Sequence, residues 1–516
     1  MVYLKKSSFI FGTILLALVN VVVRSLGFIY RILLSRTIGA AAIGLYQMVF
    51  PFLMVVITIP TAGIPIAVSK LVAKEKSVHN REGIYKVLLL SLVLGGSISL
   101  GLSVAVSLRI NFIVNNLLKN PNLYYPVLWT IPAISIISFS SILRGFFYGL
   151  KEMAPAATSQ VLEQIFRIVF VLSYLYYKAP SNPIAAATIA IIGISIGEVF
   201  SLLYLVLRFN FKKIMEKTHY LNVHSNSTLE ILNHVLFISV PITLSRLISV
   251  IMQTVNAILI PQRLQVAGYS SIAAIETFGK ISGMAMPLLY LPFTVTTALV
   301  INIIPNISEQ LAVNNWQDIE YKSNLALRIT LLMAIPTTIV YVVFGNHLAE
   351  LIYDQEDVGK YLALISYGTI FLCMQHILSG ILHGMGKQII TTVNYLLGMI
   401  VQLYCTYFLI PNPKYGIYGF FIGFILSTFI IFALNLITLM RYIKITVPLT
   451  QALLKPLFAS LLMIITMIYT YRIFFNISSS NGLSTIISSL VGGGVYVFLL
   501  LITKTFNLKN LIENIK

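Results

Sequence analysis

The sequence predicts an all-α integral membrane protein with about fourteen transmembrane helices, built as two six-helix lobes followed by two additional helices. Composition is the first reason: 58% of the 516 residues are hydrophobic, only 10% are charged, and the mean hydropathy is +0.90. A soluble domain has no use for so much apolar surface. The second reason is the recurrence of apolar stretches long enough to cross ~30 Å of hydrocarbon, separated by short polar segments. The third is a set of short motifs that returns at nearly one spacing along the chain.

In order, the spans lie near residues 9–32, 44–69, 86–112, 125–148, 157–178, 184–207, 234–260, 272–301, 325–346, 359–382, 389–411, 416–440, 449–471 and 483–503. Lys5 and Lys6 before the first resemble the start of a signal peptide, but no small-residue cleavage site follows, so the segment reads as a retained helix. Lysine and arginine placement sets the orientation. Lys70, Lys74, Lys76, Arg81 and Lys86 follow span two, Lys151 follows span four, and Lys212, Lys213 and Lys217 follow span six. Fewer cations, among them Arg36, Lys119, Lys178 and Arg263, fall on the other side. Both termini are therefore expected in the cytoplasm, with the chain spanning the membrane many times. The net charge of +19 reads as this topology signal rather than as a nucleic-acid surface, because the cations are not gathered on one face with interleaved aromatics.

The repeat rests on four pairs. Ile142-Leu143-Arg144-Gly145 answers to Ile381-Leu382-His383-Gly384 at an offset of 239, and Tyr85-Lys86 to Tyr321-Lys322 at 236. Pro51 and Pro60 answer to Pro287 and Pro292 at 236 and 232. Six spans in each half imply parallel topology and a pseudo-two-fold axis along the membrane normal, the arrangement that suits alternating access. The expected organisation is an N-terminal lobe over 1–208, a cytoplasmic linker over 209–233, a C-terminal lobe over 234–445, and two further helices with a tail over 446–516. Pro60, Gly63 and Pro65, with Pro287 and Pro292 in the related helix, interrupt the backbone ladder and form candidate hinges.

Charged groups inside the spans carry the functional argument, since an arginine at mid-bilayer costs roughly 2.5–3.5 kcal/mol even on lenient scales and normally faces a bundle interior or aqueous cavity. Asn20, Arg24, Gly27 and Arg31 follow i, i+4, i+7, i+11 spacing and form one polar stripe on the first span. Arg246 in span seven shares its face with Gln253 and Asn256. Glu163 and Arg167 in span five, and Glu276 and Lys280 in span eight, stand at i, i+4 as candidate structural pairs or ion-coupling sites, as does Glu198 in span six. Arg144, near the end of span four, is a candidate cytoplasmic gate. Six cations against three acids suit an anionic substrate, because the guanidinium fork matches phosphate and stays charged. Cys373 and Cys405 show neither metal-ligand nor disulfide spacing, and Gly492-Gly493-Gly494 lacks the Gly-Lys-Ser/Thr of a phosphate loop. No metal, catalytic residue or cofactor is implied; a coupling ion, Na⁺ or H⁺, or the membrane potential would supply energy.

Arg24-Ser-Leu-Gly-Phe-Ile-Tyr-Arg31, Ser35-Arg36-Thr-Ile-Gly39, Gly63-Ile-Pro65 through Lys74, Ser159-Gln-Val-Leu-Glu163-Gln, Gly197-Glu198 and Pro305-Asn-Ile-Ser-Glu309 together resemble the stage V sporulation protein B family. Its members belong to the polysaccharide-transport branch of the multidrug/oligosaccharidyl-lipid/polysaccharide exporter superfamily, related to lipid II flippases. The resemblance implies two lobes around a central cavity and a non-enzymatic activity: flipping an undecaprenyl-pyrophosphate-linked glycan, such as the peptidoglycan precursor lipid II, to the outer leaflet during spore cortex synthesis. It implies the bilayer, that glycan and cell-wall synthesis proteins as partners. Arg24 matches the first-helix cavity arginine of the flippases, whereas the Arg-Asp pair that tends to follow Gly-Phe there is replaced by Tyr30-Arg31. Two alternatives are a cation-coupled multidrug exporter of the same superfamily and an integral membrane glycan polymerase or ligase. The short outer loops disfavour the second.

Overall fold

The computed structural model describes residues 3–178, 180, 182–209, 227–446, 448 and 450–503, with the side chains of 3–18, 20 and 245 outside the description. Every described regular element is helical. The long helices are α1 (Tyr3–Thr61), α2 (Ile64–Ser77), α3 (Arg81–Leu108), α4 (Thr130–Gly149), α5 (Met153–Lys178), α6 (Pro183–Arg208) and α7 (Thr228–Val266). They continue as α8 (Ser271–Phe278), α9 (Phe293–Ala312), α10 (Trp316–Tyr353), α11 (Asp357–Ser366), α12 (Thr369–Gly384), α13 (Gln388–Leu409), α14 (Tyr418–Met440), α15 (Lys455–Ser478) and α16 (Asn481–Ile502). An all-helical backbone satisfies its own hydrogen bonds, which lipid cannot do for it.

Among the described residues, eleven helices are long and apolar enough to cross a membrane, or twelve if the bent pair Asp357–Ser366 and Thr369–Gly384 counts as one. The expected fourteen is therefore not reproduced, and two physical reasons are visible. The first two expected spans run on as α1, interrupted only at Gly39, whose φ of 73° and ψ of 174° lie where a side chain is rarely tolerated. Helix α5 is absent from the count because its Gln160–Glu163–Gln164–Arg167 stripe lowers its hydropathy.

The chain divides into two compact units. The first runs to Gln262 and takes in Ile275–Gly279; the second takes Arg263–Ala274 and everything from Lys280 onward. Helix α7, which the sequence places at the start of the C-terminal lobe, thus falls mostly in the first unit. Residues 210–226 of the expected linker and 504–516 of the expected tail lie outside the described residues.

In the first unit, Ile64, Val68 and Val72 of α2 pack on Ile142 and Phe146 of α4 and on Ile231 and Val235 of α7. A second cluster joins Tyr30, Leu34 and Ile43 of α1 to Val171 and Leu175 of α5. Lipid tails being as apolar as leucine, such packing rests on close fit rather than on escape from water, and small residues set the approach. A Cβ on Gly63 would lie 2.1 Å from the Ser239 carbonyl oxygen, and one on Gly279 would lie 2.1 Å from that of Ala40. Gly63→Ala is expected to lower stability by about 1–3 kcal/mol, read as a fall in the unfolding temperature of purified protein; an unchanged transition would mean that α7 is not seated on this break. In the second unit, Ile303 and Ile307 of α9 pack on Ile377 and Ile381 of α12, while Met463 and Met467 of α15 and Tyr496 of α16 pack on Leu332 and Phe344 of α10.

The two units repeat contacts at the sequence offset. A Cβ on Gly145 would meet the Pro65 carbonyl oxygen at 2.4 Å, and one on Gly384 would meet that of Ile304 at 3.0 Å. Both positions are 239 residues on. Ser140 Oγ donates to Glu198 Oε2 at 2.7 Å in one unit, and Ser379 Oγ accepts from Asn435 Nδ2 at 3.1 Å in the other. Of the candidate hinge residues, Gly63 caps α2 with Pro65 in its first turn, Pro292 caps α9 just after the short helix Met286–Leu289 that holds Pro287, and Pro60 lies inside α1 one residue before its end.

Candidate functional site

The polar stripe of α1 runs beside that of α5, since a Cβ on Gly27 would stand 3.3 Å from Gln164 Nε2. Glycine at this point lets the two stripes approach. From there a polar seam extends through three helices. Arg167 on α5 donates to Gln164 Oε1 at 3.3 Å and forms an ion pair with Glu163, one turn before it. The second oxygen of Glu163 accepts from Arg144 Nη2 on α4 at 3.0 Å. That same nitrogen reaches Glu198 Oε2 on α6 at 2.8 Å and Ser201 Oγ at 2.8 Å, while Ser140 donates to Glu198.

These side chains are between 6% and 18% exposed, so the pairs are shielded from water and from salt. Two arginines balance two glutamates. Tyr46 of α1 packs against the cluster that holds Val171 of α5, one turn beyond Arg167, which brings α1 beside the seam. Tyr30, buried on the same helix, belongs to that cluster.

The intramembrane cations thus fall into two groups. Arg144 and Arg167 are neutralised inside the fold. Arg24 is exposed and Arg31 half-buried, and among the described residues neither forms an ion pair. Arg246 on α7 is likewise exposed without an acid partner, as is Gln253 on the same helix. Asn256 is half-buried, with its Oδ1 shielded and unbonded. The side chain of Asn20 lies outside the described residues. Glu276 is half-buried, and the Lys280 ammonium stands 3.9 Å from Asp357 Oδ2.

Sequence reasoning treated Glu163–Arg167 as an isolated pair and Arg144 and Glu198 as separate features. The structure brings the four together. It also adds Ser140 and Ser201. Both carry a signal in the sequence: Ser140 stands at i−4 from Arg144 and Ser201 at i+3 from Glu198, so each lies on the face of a charged residue that has no partner on its own helix. The counterpart region of the second unit is uncharged. Asn394 Nδ2 donates to Asn435 Oδ1 at 2.9 Å, and His383, the counterpart of Arg144, has its Nε2 2.9 Å from Thr391 Oγ1.

The chain is a multi-pass helical protein with cations along its first span. Residues 9–311 match the family model described as "Polysaccharide biosynthesis protein", and residues 241–408 match that described as "MatE". The chain belongs to the polysaccharide biosynthesis protein family, within the multidrug/oligosaccharidyl-lipid/polysaccharide exporter superfamily, and is related to lipid II flippases. It is 29% identical to stage V sporulation protein B of Bacillus subtilis (strain 168) over 447 residues, 86% of each chain. It is 25% identical to lipid II flippase MurJ of the same organism over 418 residues, 76% of this chain and 75% of the relative. In fold, it is similar to a solved structure of lipid II flippase MurJ in an inward closed conformation, with a TM-score of 0.67, 17% identity, and coverage of 97% of this chain and 100% of that one. An inward-facing multidrug resistance MATE family transporter gives 0.66 at 16% identity, covering 81% and 94%. The chain is a transporter and not an enzyme.

Proposed function

We propose that the protein flips an undecaprenyl-pyrophosphate-linked glycan, lipid II or a close relative, from the inner to the outer leaflet by alternating access of two lobes. The observation that carries this reading is the contrast between neutralised and free cations. The arginines of α4 and α5 have acids of their own, whereas Arg24, Arg31 and Arg246 are left to meet an anion from outside the protein. In this reading they hold the pyrophosphate while the polyprenyl tail stays in lipid. The breaks at Gly63 and Pro292 serve as hinges. The similarity to a sporulation protein supports spore cortex synthesis as the setting, with cell-wall synthesis proteins as partners.

Both termini are placed in the cytoplasm, in keeping with the basic segments after spans two, four and six. A cysteine at position 119 is then expected to react with a membrane-impermeant maleimide from outside intact cells, and one at position 151 only after permeabilisation. The native Cys373 and Cys405 are buried and give little background. The opposite labelling pattern would invert the assigned direction of transport.

The reading itself is tested with protein reconstituted in liposomes carrying labelled lipid II, scoring headgroup accessibility across the bilayer. Protein-dependent translocation is expected. The match of residues 241–408 to the "MatE" model favours a second reading, a cation-coupled multidrug exporter. Dye efflux from the same liposomes, with no movement of lipid II, would put that reading first.

A further inference from the structure

The turn joining α3 to α4 presents a second polar surface, built from side chains that the seam of α4–α6 does not use. Its inner side is fixed. Ile110, Val114, Leu118, Leu123 and Val127 are buried, and Asn120, also buried, accepts from the Asn122 backbone N–H at 3.1 Å. The backbone widens into a π turn at Ile113–Leu117 and ends on Lys119, with φ of 50°.

The outer side is exposed and unengaged. Arg109, Asn111, Asn115, Asn116 and Lys119 are all exposed, and among the described residues none makes a side-chain hydrogen bond or ion pair. Tyr125 and Trp129, which follow the turn in the chain, are 61% and 44% exposed. The sequence holds no acid between Glu82 and Glu152. A turn in this position has no intrinsic need of such residues. The corresponding turn of the second unit, where α10 ends on Asp354 with φ of 58°, carries Asp354, Glu356 and Asp357 instead.

Carboxamides offer a donor and an acceptor together, the match for sugar hydroxyls and acetamido groups. The two cations suit carboxylate or phosphate, and exposed aromatic faces suit the apolar side of a sugar ring. We propose that this surface binds the anionic, hydroxyl-rich glycan headgroup on the side of the membrane where it is delivered. The proposal rests on the flippase reading and its orientation, and it commits to the glycan rather than to a phospholipid headgroup.

The chain's two tryptophans make the test direct. In full-length protein carrying Trp316→Phe, Trp129 is the only tryptophan. The probe is a water-soluble disaccharide-pentapeptide without a lipid tail, titrated onto this protein in phosphatidylcholine nanodiscs. A saturable change in Trp129 fluorescence is expected, weakened about tenfold in the Asn115→Ala/Asn116→Ala/Lys119→Gln variant. These three side chains are exposed, so the variant is expected to melt like its parent. No saturable change, or equal affinity in the triple variant, overturns the proposal. The same fluorescence change on adding phosphatidylglycerol, without glycan, overturns it in favour of a lipid contact. Lipid II flipping by a protein whose Trp129 stays silent removes this surface alone. A responding Trp129 in a protein that flips nothing removes the flippase reading and leaves a glycan-binding surface.

Discussion

Replacing Arg144 by alanine is expected to destabilise the protein by about 3–5 kcal/mol, because it leaves the Glu198 carboxylate buried without its counter-charge. Arg144 Nη2 is the atom on which Glu163, Glu198 and Ser201 converge, and Ser140 alone cannot replace it. Glu163 would keep Arg167. The measurement is thermal unfolding of purified protein in detergent. Adding Glu198→Gln to Arg144→Ala is expected to recover part of the loss, since an amide needs no cation. A double mutant no better than the single would mean that Arg144 matters for its packing and not for its charge.

Replacing Arg24 by alanine is expected to have the reverse profile: unfolding unchanged, transport slowed. Its guanidinium is exposed and has no acid partner among the described residues, so its removal orphans no internal group. If it holds a pyrophosphate, losing a charge-assisted, two-pronged contact should slow lipid II flipping about 10–100-fold in the liposome assay. Arg24→Lys should fall between, because lysine keeps the charge but not the fork. Normal flipping in the alanine variant would remove Arg24 from the substrate path. Together the two substitutions separate cations that hold the fold from cations that face outward.

The helical, membrane-spanning class was legible because apolar length and basic spacers are local properties of the chain. The stripe on α1 was legible for the same reason, being a matter of spacing along one helix. The break at Gly39 was not, since a glycine among apolar residues fits an unbroken helix equally well until its φ is known. The ionic seam was half legible. Glu163 and Arg167 announce themselves at i, i+4, but Arg144 and Glu198 meet them only through the packing of α4, α5 and α6, which no single-helix pattern encodes. The motif offset pointed to equivalent positions, and the Gly145–Pro65 and Gly384–Ile304 contacts fall at those positions.

Gly279 seated on Ala40, and Gly44 against Ile275, have a bearing on how such a chain can be cut. The sequence repeat puts the join between the halves in the polar segment after α6, yet α7 and the Ile275–Gly279 segment pack with the helices that precede that join. A gene for one half, severed at the repeat boundary, would encode a helix set missing pieces of its own core, while the other half would carry those pieces as surplus apolar surface. The boundary expected from the sequence offset and the boundary between the compact units therefore do not coincide.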